Sequence, residues 1–192
     1  MNQKRFKMAA LLSVLLLAGG PAHADDEGQS FWDWLGHGTY EGWKGVGVKP
    51  VDNKRYNDEC GSCHFAYQPG LLPAKSWEKL LTPAGLHDHF GEVADLDKDT
   101  LEAIRTYVLA NSSDKSYYLI SRKINVATED ETPLRITQVR YIRRKHHDIP
   151  EKMIKGNKDV QSLSNCNACH TKAEKGIFKE DTVNIPNYPG YR

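Results

Sequence analysis

Long apolar runs are missing from this 192-residue sequence. The run from Met8 to Ala18 falls well short of the about 20 residues that a bilayer-spanning helix requires, and no later stretch qualifies. Neither sign of charge dominates: 26 Lys and Arg face 25 Asp and Glu, a formal +1. Without a basic excess, nothing global points to nucleic acid. Methionine is scarce, with three residues in all, Met1, Met8 and Met153. Cysteine is limited to four residues, none of them outside a paired motif, so no spare thiol is left for a conventional disulfide framework. No ordinary tandem repeat is present, and a repeat architecture is not expected.

The N-terminus has a recognisable order. Lys4, Arg5 and Lys7 make a basic start, Met8 to Ala18 is apolar, Gly19-Gly20-Pro21 breaks the run, and Ala22-His23-Ala24 offers small residues. That is the pattern of a secretory signal peptide over residues 1–24, with cleavage after Ala24. An uncleaved signal anchor would need a longer apolar run. Loss of Lys4, Arg5 and Lys7 takes the basic count from 26 to 23 against 25 acids, so the exported chain is near −2. A periplasmic, soluble product without a membrane span is expected.

Cys60-Gly61-Ser62-Cys63-His64 and Cys166-Asn167-Ala168-Cys169-His170 use all four cysteines. In an exported chain, four cysteines would ordinarily suggest two disulfides. Here each pair is followed at once by histidine, which is the attachment signature of c-type haem. Two thiols on one helical turn can add to the two vinyl groups of a single haem, and the next histidine is carried under the iron as proximal ligand. A zinc site built from paired Cys-x-x-Cys motifs commonly has far less chain between the pairs. A thioredoxin-like dithiol needs a βαβ context that neither flank offers. Two covalent haem c groups are therefore expected, on Cys60, Cys63 and His64 and on Cys166, Cys169 and His170.

The elements read along the chain are helices and loops, which gives a mostly α fold of two small haem-binding domains. Residues 25–113 form the first and 114–192 the second, with the turn-like Asn111-Ser112-Ser113 between them. Residues 25–50 are rich in glycine and tryptophan and read as an ordered coil. Val51 to Ala66 reads as a helix carrying the first motif. Gln68 to Pro73 is a loop, and Ser76 to Leu81 a short helix with Ser76 as cap. Asp99-Thr100-Leu101-Glu102 matches a capping box, and Leu101, Ile104 and Val108 form a helical stripe. Tyr56 and Tyr107 are expected to pack where the first and last helices of this domain cross. Asp114 to Lys123 can be helical, and Glu129 to Pro133 is a loop. Thr137 to Ile149 reads as a basic helix stopped by Pro150. Val160 to Ala173 reads as the second motif helix, and Asn184 to Arg192 as an extended tail.

A six-coordinate haem iron needs a second axial ligand, usually His or Met. Beyond residue 24, Met153 is the one methionine, so at most one haem can be His/Met. Five histidines remain as candidates after the two proximal ones: His37, His87, His89, His146 and His147. On a helix, His146 shares a face with Val139, Ile142 and Ile149, whereas His147 lies with Arg140, Arg143 and Arg144. A ligand must point into an apolar pocket, so His146 is preferred, the other reading being a core histidine satisfied by a hydrogen bond. By the same stripe argument His89, in line with Leu86, Phe90 and Val93, is preferred to His87, although Gly91 weakens the helix. His37 lies between two glycines and reads as a surface or outer residue. The basic cluster from Arg140 to Lys145 is by default a solvated helix face. Docking of an acidic redox partner and clamping of haem propionates are the other two uses of such a cluster.

Several segments together resemble the soluble dihaem cytochrome c family. They are Tyr56, Glu59-Cys60-x-x-Cys63-His64, Gln68-Pro69-Gly70-Leu71-Leu72-Pro73-Ala74, Trp77, His89-Phe90-Gly91 and Ile104-x-x-Tyr107 in the first half. In the second half they are Arg135-Ile136-Thr137, Tyr141, Lys145-His146, Asn165-Cys166-x-Ala168-Cys169-His170 and Ala173-Glu174-x-Gly176. The likeness runs from about Val51 to Pro186, and the segment before Val51 has no place in it. It implies a periplasmic protein whose N-terminal domain is similar to a class I cytochrome c and whose second domain is less regular. It implies bis-histidine haems of low potential, with His64, His89, His146 and His170 on iron. It also implies electron transfer from a membrane b-type cytochrome to a small soluble haem protein, by a monomeric carrier rather than an enzyme. Two other classes compete with a carrier. One is a ligand-binding or peroxidase-like protein with one open iron. The other is the dihaem subunit of a periplasmic reductase, which the intervening segments do not resemble.

Overall fold

The computed structural model describes residues 45–191. The leader, His37 and most of the tryptophan-rich coil therefore lie outside the described residues. Within them the chain is helical, with no strands and two isolated β-bridges, His89 with Glu92 and His170 with Val183. Among the described residues no helix is long and apolar enough to cross a membrane.

Seven α-helices occur in this span: α1 (Lys54–Cys60), α2 (Ala74–Leu80), α3 (Pro83–His87), α4 (Lys98–Ala110), α5 (Leu119–Ala127), α6 (Arg140–Lys145) and α7 (Cys166–Cys169). Six of them have nine residues or fewer, well below the roughly 12–15 at which an isolated helix becomes even marginal. Burial has to hold them. α4 packs against α1 and α2, while α5 packs against α6 and the 3₁₀ turn Pro69–Leu71. Leu101, Ile104 and Val108 supply the buried stripe of α4, as the sequence period requires. Ile120 and Ile124 do the same for α5. Each such side chain contributes about 1.5–3 kcal/mol when fully buried, more than any single cap. One apolar core runs from Val48 through Trp77 and Val108 to Val139 and Tyr141.

Several helix limits differ from the sequence reading. α1 begins at Lys54 because Asn53 caps it, its side chain accepting the Tyr56 N–H at 2.9 Å, and it stops at Cys60 instead of running to Ala66. Ser76 is not a cap: it is fully buried inside α2, which starts after Pro73. The cap of α4 is Asp97, whose carboxylate accepts the N–H groups of Asp99 and Thr100 at 3.0 Å each, and not a box at Asp99. The second half shortens most. The expected helix from Thr137 to Ile149 is a 3₁₀ turn, Ile136–Gln138, then six residues of α6, and the second motif helix is the four residues of α7. The stretch read as Asp114 to Lys123 is a 3₁₀ turn, Ser113–Lys115, followed by α5.

Three contacts of long sequence separation fix the second half onto the first. Val48 N–H donates to the Gly176 carbonyl at 2.9 Å. Gln68, fully buried, donates from Nε2 to the Ala173 carbonyl at 2.6 Å. Tyr67 donates its hydroxyl hydrogen to the Ser164 carbonyl at 2.6 Å. Gly176 sits at φ +71, and a Cβ there would overlap the Val48 carbonyl oxygen, so only glycine allows this approach.

Candidate haem centres

Each Cys-x-x-Cys-His segment lies close to a second histidine, and different local structures place the four rings. In the first centre Cys60 ends α1, and the turn after it leads to His64. Nδ1 of His64 lies 2.8 Å from the Phe65 carbonyl. A carbonyl only accepts, so Nδ1 carries the proton there and Nε2 keeps a free lone pair. His89 stands opposite, its ring centroid 6.2 Å from that of His64 and its plane only 16° away from parallel.

His89 is not on a helix, in contrast to the reasoning that selected it. α3 ends at His87, and the chain reverses in a tight turn closed by His89 N–H to the Glu92 carbonyl at 2.8 Å. Phe90 and Gly91 both take positive φ in this turn, +61 and +99. A bulky residue in that region costs about 1–3 kcal/mol and persists where its surroundings hold it. The Arg135 guanidinium, 3.8 Å over the Phe90 ring, is part of that hold. His87, the rejected alternative, is exposed and pairs with Asp95 at 3.1 Å. Nδ1 of His89 is buried without a hydrogen-bond partner. Burial, then His64, then Arg135 lower the basicity of His89, which favours the neutral imidazole that metal binding requires.

In the second centre α7 follows Asn165, whose side-chain Nδ2 donates back to the Val160 carbonyl at 2.7 Å and makes no capping bond to the helix. His170 follows α7, and its ring is 6.0 Å from that of His146, here at 75°. His146 is the residue that ends α6, and its Nδ1 lies 2.8 Å from the Ile142 carbonyl, again leaving Nε2 free. Burial first, and His146 second, bring His170 down to about 4. Its Nδ1 is also buried and unpartnered. Phe178 stands edge-on to its ring at 5.2 Å. His147 is exposed beside Asp148, and Arg140, Arg143, Arg144 and Lys145 are exposed as well.

The residues fit haem on three grounds. A metal–nitrogen bond of about 2 Å on each side, plus the half-width of each imidazole, accounts for both ring separations. Two imidazoles are only two donors, and no third His, Cys, Asp or Glu joins them among the described residues; a porphyrin supplies the other four. Finally, all four cysteines are free. Burial pushes Cys60 and Cys166 up to about 11, with Glu59 adding to the first and Cys169 to the second. Both are therefore neutral thiols, the form that adds across a vinyl group to give a thioether.

Tyr67, a side chain that the sequence did not single out, lies between the centres, with its ring 5.0 Å from His64 and its hydroxyl on Ser164, two residues before Cys166. Burial and Cys166 push Tyr67 up to about 12, against the opposing effects of Ser164 and Arg135. Tyr56, buried against Tyr107 with centroids 5.6 Å apart, donates to the Tyr67 carbonyl at 2.6 Å. The expected Tyr56–Tyr107 contact is thus present. Tyr67 could not be read from period or motif, and the family-like segment that holds Arg135 gave no sign of Phe90, because these partners lie about 97 and 45 residues away in the chain.

Comparison with known proteins places these features in context. The family described as dihaem cytochrome c matches residues 56–178. An X-ray structure of a dihaem cytochrome type c from Shewanella baltica OS155 is 39% identical, covering 71% of this chain and 95% of its own, with a TM-score of 0.58. A dihaem cytochrome c from Rhodobacter sphaeroides is also 39% identical, covering 69% of this chain and 100% of its own, with a TM-score of 0.59. A search of curated proteins gives no match.

Proposed function

Because the chain belongs to the dihaem cytochrome c family, we propose that it relays electrons in the periplasm from a membrane b-type cytochrome to a small soluble haem protein. Two covalently attached haem c groups and electron transfer in general come with that membership. His64 and His89 hold one iron; His146 and His170 hold the other. Cys60 with Cys63, and Cys166 with Cys169, form the thioethers.

The observation that carries this reading is the pair of opposed imidazoles in each centre, 6.2 and 6.0 Å apart. Each haem, when bound, supplies a one-electron Fe(III)/Fe(II) couple. The protein's part is to fill both axial positions with neutral nitrogen donors, so that neither position is left open to an outside ligand. Strong ligands on both sides keep the metal low-spin in either oxidation state, and few atoms then move on transfer. Histidine in place of methionine lowers the potential. Met153 is buried in the turn Glu151–Met153 and acts in packing. The exposed Arg140, Arg143, Arg144 and Lys145 immediately precede His146 and offer a cationic face for transient docking of an acidic partner. The carrier acts as a monomer, with haem domains at 25–113 and 114–192.

Replacing His89 or His146 with Ala tests the assignment. Each variant is expected to convert one of the two haems to high spin and leave the other low-spin. An unchanged spectrum in either would remove that histidine from the iron.

A further inference from the structure

We infer that Arg135, a residue of the second half of the chain, sets the reduction potential of the haem centre in the first half from its His89 side. This rests on the ligand assignment above and goes one step beyond it. The Arg135 guanidinium lies 3.8 Å over the ring of Phe90, the residue bonded to His89, and the Phe90 and His89 rings are 4.9 Å apart. Arg135 thus reaches the His89 side of the centre through one intervening ring.

The main chain of Arg135 is held in place, and its exposed side chain reaches from there over Phe90. The Arg135 N–H donates to Gln138 Oε1 at 3.3 Å, and its carbonyl accepts the Gln138 N–H at 2.9 Å. Ile136 and Val139, buried on the following turn, anchor it to the core. Reduction by a one-electron donor adds one electron at the iron, breaks no bond and lowers the charge there by one. A fixed cation nearby favours the reduced form and raises the midpoint. No comparable cation–ring contact involves a neighbour of His146 or His170 among the described residues; the other such contact is Lys123 over Tyr141. Arg135 thus stands against a neighbour of a first-centre ligand and of no second-centre ligand, and the first centre takes the larger effect.

The two centres are distinguishable by electron paramagnetic resonance. Parallel imidazoles, as at His64 and His89, act on the same iron d orbital and give a rhombic low-spin signal. Nearly perpendicular ones, as at His146 and His170, leave two d orbitals almost degenerate and give a signal at higher g. The experiment is a redox titration of the oxidised dihaem protein followed by this method, with Arg135→Lys and Arg135→Met beside the wild type. Methionine keeps an apolar cover on Phe90 but removes the charge. The expected result is a lower midpoint for the rhombic signal in Arg135→Met, a value near wild type in Arg135→Lys, and a smaller shift of the second signal than of the first in Arg135→Met. Unchanged midpoints, equal shifts of both signals, or a lysine variant that behaves like methionine would overturn the inference. Failure of the wild type to give two low-spin signals would instead overturn the ligand assignment, and this inference with it.

Discussion

At the residue scale, each candidate centre combines three side chains that lie together in the chain with a histidine that comes from 24 or 25 residues away. Cys60, Cys63 and His64 announce themselves because their function depends on neighbours in the chain, and the same holds for Cys166, Cys169 and His170. His89 and His146 do not. The helical stripe selected both, yet His89 sits in a tight turn beyond α3, and His146 ends a helix half the expected length. The structure brings both beside the histidine of a Cys-x-x-Cys-His segment although the backbone differs from the expected helix: an apolar-facing histidine is inward whatever backbone carries it. Tyr67 was not singled out, and Arg135, though part of a family-like segment, gave no sign of its partner. The same is true of Gly176 and the Val48 carbonyl. Alanine there would combine a left-handed φ of +71 with an overlap on the Val48 carbonyl. A cost of about 2 kcal/mol or more is expected, or several degrees in the melting temperature of the holoprotein at about 2–4 °C per kcal/mol. A melting curve that superposes on wild type would contradict this close approach.

At the scale of elements, the helix with thirteen residues is the one whose stripe was read correctly. Its cap was misplaced by two residues because two aspartates compete for the position, and only the structure shows Asp97 accepting from both N–H groups. Those bonds hold the Asp97 carboxyl below its ordinary value of 3.8, the hydrogen bond to Thr100 contributing most. A depressed carboxyl adds stability above its unfolded pKa and loses it as pH falls through the folded one. Asp97→Asn, which retains an acceptor, is therefore expected to be less stable than wild type at neutral pH and to approach it in acid, below about pH 4. Chemical denaturation at the two pH values checks this; a gap that stays constant would assign the cap no electrostatic part. The short helices of the second half were over-extended by the sequence reading. Their residues serve ring placement and backbone hydrogen bonds such as His170 N–H to the Cys166 carbonyl, 2.8 Å, more than helix continuity.

At the scale of the molecule, the mostly α architecture was legible from composition and motif. What joins the halves was not. The apolar core passes without interruption from Val48 to Tyr141, and Val48, Tyr67 and Gln68 bind the far segment by hydrogen bonds that no periodicity encodes. That joining matters for function, since a relay requires two centres held at fixed separation. The central claim is that both irons are held between two histidines. Near-infrared magnetic circular dichroism of the oxidised dihaem protein tests it most directly, because it reports the axial pair of each iron. Two bis-histidine bands and no other are the predicted result; a methionine-ligated or high-spin band from either haem would contradict it.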